Sequence, residues 1–213
     1  VKLTGKCGGK YAFTMPERSV TVRASFRVLD CDGGTGCPSQ AFSDLDTGKW
    51  YHDATDFVLE RGLMNGYGDG TFRPGGVLTR AQVAQILYNQ AGRPAAAGGG
   101  FSDVAPGAWC APAGAWAAER GIVSGYAGGT FRPDGGITRE QLAVMLWRYA
   151  GSPAAGELDF TDAGQAGDYA REALGWAVEI GVLSGRGDGI LDPKGPATRA
   201  QAAQTLKNFL KDK

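Results

Sequence analysis

The chain has 213 residues, 43% of them hydrophobic and 21% charged, and its 22 basic residues balance 22 acidic ones. This fits a folded protein of one or two domains, and the absence of a basic excess argues against nucleic acid or an anionic membrane surface as the partner. No stretch is apolar enough to span a bilayer, so membrane insertion is not expected. The sequence starts at Val1 without a signal peptide and reads as a segment of something longer.

Residues 1–41 differ in character from the rest of the chain. Tyr11 to Phe13 and Val20 to Phe26 alternate apolar and polar residues around a turn at Pro16, which predicts a short β-hairpin. Two strands alone are marginal in water. The segment is therefore expected to be the tail of an upstream β domain or an edge docked on the repeats, with 30–41 as linker. Cys7, Cys31 and Cys37 fall here, and Cys110 lies further on. A disulfide closing the Cys31–Cys37 loop and free thiols both remain open readings. Zinc is disfavoured because the single histidine, His52, is distant, and Cys110 is expected to be unpaired or buried.

From residue 42 the chain repeats itself. Phe42-Ser43-Asp44, Phe101-Ser102-Asp103 and Phe160-Thr161-Asp162 open three copies, taken as 42–100, 101–159 and 160–213. Each reads as helix, loop, helix. First helices are predicted over 53–61, 112–120 and 169–180, each followed by a glycine (Gly62, Gly121, Gly181) suited to a left-handed stop. Glycine-rich loops come next, in which Phe72 and Phe131 are expected to anchor the chain. Thr79, Thr138 and Thr198, each with glutamine three residues on, predict three capping boxes. Apolar residues then recur at helical spacing: Val83, Ile86, Leu87; Leu142, Met145, Leu146, Tyr149; Ala202, Leu206, Phe209, Leu210. No copy can bury its stripe alone, so the three are expected to pack together as an array.

The residue after each cap is arginine: Arg80, Arg139 and Arg199. A cation is disfavoured in the first helical turn. Its recurrence at one register points either to an anion site, built with free helix amides, or to an internal ion pair with Asp44, Asp103 or Asp162. Trp50 and Trp109, with Tyr169 at the third matching position, suit either stacking on a sugar face or core packing. Trp116 and Trp176 read as core. One histidine and no Gly-x-Ser-x-Gly turn leave a hydrolase triad without support. The loops lack the lysine of a phosphate loop. The loop Asn65 to Gly70 lacks the acidic pattern of a calcium site. No catalytic residues, cofactor or metal are expected.

Phe-Ser-Asp, the aromatic, Gly121-Ile-Val-Ser-Gly-Tyr126 and Gly128-Gly-Thr-Phe-Arg-Pro-Asp-Gly-Gly-Ile-Thr-Arg-Glu-Gln141 closely resemble an S-layer homology repeat, and the resemblance covers about 42–210. It implies a mainly α, pseudo-threefold bundle, monomeric, with grooves between repeats. It also implies secretion, a cell-surface location, and non-covalent attachment to a cell-wall polysaccharide that often carries pyruvate ketals. The ligand-contacting arginines of the family motif would be Arg80, Arg139 and Arg199, with Asp44, Asp103, Asp162, Trp50 and Trp109 as further candidates. The alternative is a protein–protein or S-layer lattice module that binds no glycan. Copy three departs most, with Leu191-Asp192-Pro193 for Phe-Arg-Pro and Arg186 for the loop tyrosine.

Overall fold

The computed structural model describes residues 4–6, 10–12, 36–96 and 100–211. Strands β1 (Thr4–Lys6) and β2 (Lys10–Ala12) pair antiparallel with Gly5 opposite Tyr11. This is a tighter pairing than the predicted one, whose second strand, Val20 to Phe26, lies outside the described residues. The rest is mainly helical: α1 (His52–Glu60), α2 (Arg80–Gln90), α3 (Ala111–Glu119), α4 (Arg139–Tyr149), α5 (Arg171–Glu179) and α6 (Arg199–Leu210). In the third copy 3-10 turns occupy Ala163–Gln165 and Asp168–Ala170, so α5 begins at Arg171, two residues later than predicted.

Local chemistry sets these elements. In α2, α4 and α6 the cap threonine hydroxyl accepts the amide of the glutamine three residues on, and that glutamine's side-chain oxygen accepts the threonine amide. Gly62, Gly121 and Gly181 have φ of 62°, 68° and 69°. There the amides of Gly62 and Leu63 turn back to the carbonyls of Leu59 and Val58, closing α1. Phe72, Phe131 and their replacement Leu191 are wholly buried and pin the loops.

The apolar stripes are buried, but mainly between copies. Helix α2 lies on α3, α4 on α5 and α6 on α1, while α2 and α4 touch only lightly. At the helix starts the backbone closes a cycle: Leu78 donates to Ala197, Ala197 to Ile137 and Ile137 to Leu78, at 3.1, 3.0 and 2.9 Å. At the helix ends a row of rings runs Tyr88, Trp116, Tyr149, Phe209, Trp176 with centroids 5.6–6.2 Å apart. Every copy thus depends on the other two for its core.

Candidate functional site

The aspartates that open the copies face inward to the backbone. Asp44 accepts the amides of Phe72 and Arg73, both at 2.7 Å. Asp103 does the same for Phe131 and Arg132, and Asp162 for Leu191 and Asp192. The second amide of each pair belongs to a residue with positive φ, namely Arg73 at 58°, Arg132 at 57° and Asp192 at 56°. Side chains are strained in that region, and a carboxylate bridging two amides holds the bend. These hydrogen bonds hold the Asp103 and Asp162 carboxyls below the usual range. The aspartates therefore fix the loops instead of pairing with the motif arginines.

The helix amides are also occupied. The amides of Arg80, Arg139 and Arg199 donate to the carbonyls of Gly135, Gly195 and Gly76, and the next amide in each helix donates to Pro133, Pro193 and Pro74. With the capping box taking the remaining two, no donor of the first turn is left for a ligand. The expected anion site on free amides is absent, because the next copy's loop has filled it.

The three arginines differ in what their guanidinium groups do. Arg139 donates from Nε to the carbonyl of Leu191 at 2.9 Å and from Nη2 to Ser184 at 2.6 Å. Arg199 makes the equivalent bonds to Phe72 and Asn65, both at 2.6 Å. Both are 4% exposed. Arg80 has the same register but a different environment. Its Nε is buried without an acceptor among the described residues, and its guanidinium lies 5.1 Å from the Tyr126 ring and 5.4 Å from Phe131. Burial lowers its pKa, and the nearby Arg148 guanidinium pushes in the same direction. An arginine nevertheless stays protonated.

The aromatic candidates lie on the surface, which removes the core reading for Trp50 and Trp109: each is 61% exposed, and Tyr169 53%. A groove of about 550 Å³ runs past Trp50, Arg139, Ser184, Arg186, Gln201 and Asn208. It draws on all three copies. In the corresponding place beside Arg80, Tyr169 lies close to Tyr126, Gln141 and Glu140. Trp116 and Trp176 are core, as predicted.

Sequence reasoning missed Glu140. It is 2% exposed and accepts from the Tyr169 hydroxyl and Lys194 Nζ, both at 2.6 Å, and from the Gly167 amide at 3.0 Å. Burial pushes its carboxyl up, but these donors outweigh burial and hold it below the ordinary range. The available signal was a break in the repeat, since Ala81 and Ala200 stand at this position elsewhere. The departures in copy three prove to be coupled. Tyr67 packs against Arg73 and Arg199, and Tyr126 against Arg132 and Arg80, whereas Arg186 pairs with Asp192 at 2.8 Å. An ion pair has replaced a cation–π stack.

Near the start of copy one, His52 is not distant from Cys37. Ligand atoms of Cys37, His52 and Asp56 lie within 4.8 Å of one another, all buried. Cys37 is disulfide-bonded, and its partner lies outside the described residues. Cys110 is free and buried, as expected. In the Asn65 to Gly70 loop, Asp69 is engaged by Thr71 and by Arg73 at 2.7 Å, which hold its pKa at about 2.

Three interlocked helix-loop-helix copies, with a groove that all three line, define a helical repeat module. The S-layer homology domain model matches residues 41–84, 100–143 and 159–203, and the chain belongs to that family. It is 31% identical over 179 residues to an amylopullulanase of Thermoanaerobacterium thermosulfurigenes, covering 80% of this chain and 10% of that protein. It is 32% identical over 180 residues to exoglucanase XynX of Acetivibrio thermocellus, covering 81% and 16%. It is 30% identical over 176 residues to the S-layer protein sap of Bacillus anthracis, covering 78% and 21%. The chain therefore spans only a small part of each relative. Among solved structures, an undecaheme cytochrome from the S-layer of Carboxydothermus ferrireducens aligns with a TM-score of 0.39 and 23% identity over 64% of this chain and 17% of that one. Family and relatives place the chain at the cell-wall surface. No helix among the described residues is long and apolar enough to cross a membrane.

Proposed function

We propose that this chain is a non-catalytic anchor, which holds a secreted protein to the cell wall by binding a wall polysaccharide in grooves between repeats. The three copies act as one pseudo-threefold, monomeric unit. The polysaccharide presents a carboxylate, such as that of a pyruvate ketal, to the groove of Arg80. The observation that carries this is the buried Arg80 Nε, which lacks an acceptor among the described residues beside Tyr126, while its two counterparts are spent on backbone carbonyls. A buried charged donor without a partner is costly, and an anionic ligand would satisfy it. Arg148 adds a second cation, and the half-exposed Tyr169 ring offers a face for a sugar.

The test is binding of the full chain to purified, protein-free walls before and after depyruvylation. Arg80→Ala should lower affinity by about tenfold to a hundredfold, the value of a charged hydrogen bond, with little loss of stability. Lysine at position 80 should restore only part, because it lacks the planar fork. Failure of the unmutated chain to bind protein-free walls would favour a protein lattice as partner. Unchanged binding by Arg80→Ala would remove the groove assignment alone.

A further inference from the structure

We propose that reduction of the Cys37 disulfide opens a buried divalent-cation site, of the kind zinc fills, made by Cys37 Sγ, His52 Nε2 and Asp56 Oδ2. One ligand atom from each of the three residues lies within 4.8 Å of the other two, and no residue of the three is more than 5% exposed. His52 Nε2 and Asp56 Oδ2 are 3.0 Å apart, and neither makes a hydrogen bond of good geometry among the described residues. The two buried atoms meet each other at ion-pair distance and no other polar atom among the described residues, and a cation between them would be held by both.

The donor set is chemically apt. Thiolate, imidazole and carboxylate are zinc ligands with bonds of about 2.0–2.3 Å, so tetrahedral ligands stand about 3.3–3.8 Å apart and adjustments of about 1 Å or less complete the site. One thiolate and one carboxylate neutralise a dication, which lessens the cost of burying it. Supporting groups are already present. The Ser39 amide holds Asp56 Oδ1 at 2.7 Å, and Asp53 Oδ1 faces His52 Nδ1 at 3.9 Å. The repeat itself does not require these residues: the positions of His52 and Asp56 are Ala111 and Ala115 in copy two, and Arg171 and Gly175 in copy three.

The disulfide is the gate. While Cys37 is disulfide-bonded its sulfur is no thiolate and only two ligands remain. A phosphine and one water convert the disulfide to two thiols and the phosphine oxide. Cation binding then releases the Cys37 thiol proton, while neutral His52 gives its Nε2 lone pair and Asp56 its charge.

The test titrates Co2+ into the full chain carrying Cys110→Ser, before and after phosphine reduction, and then displaces it with Zn2+. The reduced protein should bind one equivalent with a thiolate-to-cobalt charge-transfer band, and Zn2+ should abolish the band and raise the melting temperature. The oxidised protein should show no band. Cys37→Ser, His52→Ala and Asp56→Ala should each lose the band while keeping the helical circular dichroism of the parent. Where a variant does not fold, the unmutated chain suffices: His52 is its single histidine, so the imidazole nitrogen resonances report directly on zinc. Those resonances should move on adding Zn2+ to reduced protein only. Resonances that stay in place, or a band that survives loss of His52, would overturn the site and leave the cluster as a latch of the 36–42 segment on α1.

Discussion

Arg139 and Leu191 are joined across 52 residues by a 2.9 Å bond from the guanidinium Nε to the carbonyl, which ties copy two to copy three. With the second bond to Ser184, the side chain becomes a buried strut. Removing it leaves two carbonyls without their donor. A charged hydrogen bond contributes about 1.5–3 kcal/mol, so Arg139→Ala and Arg199→Ala should each lower unfolding free energy by at least that much. Arg80→Ala should cost only about 0.5–1 kcal/mol, from lost contact with the rings. Urea unfolding of the three variants checks the ranking. Equal losses would mean that the register, and not the carbonyl bonds, sets the contribution.

Glu140 replaces an alanine in the repeat, so a small side chain is already compatible with its position. Glu140→Ala removes the acceptor for Tyr169, Lys194 and the Gly167 amide, but Tyr169 is half-exposed, the Lys194 side chain 52% exposed and Gly167 partly exposed, so all three can rehydrate. The severe penalty for stranding a buried charge therefore does not apply. Stability should change by no more than about 1 kcal/mol, while wall binding weakens as the Tyr169 ring loses its tether. Tyr169→Phe should weaken binding in the same way. A large fall in melting temperature for Glu140→Ala would show that the cluster is structural.

What was legible in the sequence was set by residues a few positions apart. Thr79 and Gln82 meet within one turn, Gly62 ends the helix before it, and Leu142, Met145 and Leu146 share one face whatever surrounds them. What was not legible depends on which copy fills which gap. Nothing near Arg80 or Ala81 in sequence says that Gly135 and Pro133 will consume their amides, so the sequence leaves an anion site on free amides standing beside the ion-pair reading. Arg186 and Asp192 read as two separate losses, because only the fold shows that they replace a stacked pair with an ion pair. His52 looked remote from Cys37 because the turn before α1 folds the 36–42 segment back onto the helix.

Asp103, Asp162 and Glu140 all hold their protons less tightly in the folded state than the ordinary carboxyl values of about 3.9 and 4.3. Their contribution is therefore complete above those unfolded values and is lost as pH falls through the lower folded ones. The melting temperature should be flat from pH 7 to about 5 on their account and drop below about 4. Asp162→Asn should be less stable at neutral pH, since its amide group sets a donor against one of the two backbone donors. Its deficit should shrink as pH falls to 3. A deficit that stays the same at both ends would mean that carboxylate charge contributes nothing to holding the loop.

Two helical glycines should respond oppositely to alanine. Replacing glycine by alanine inside a helix ordinarily stabilises by about 0.5–1 kcal/mol. At Gly114 in α3 a new methyl would meet only the Phe131 and Phe101 rings at 3.7 Å or more, ordinary contact distances, so Gly114→Ala should show that gain. Gly175 in α5 lies against the linker that joins copies two and three. A methyl there would come within 2.2 Å of the Gly156 carbonyl oxygen, which is backbone and cannot rotate away. The linker or α5 must move, and α5 is the helix against which α4 buries its stripe. Gly175→Ala should therefore destabilise by about 1–3 kcal/mol, as overpacking does. Paired thermal melts decide the matter. A gain at both positions would show that residues 151–156 can lift off α5, in which case this linker does not hold copies two and three in register.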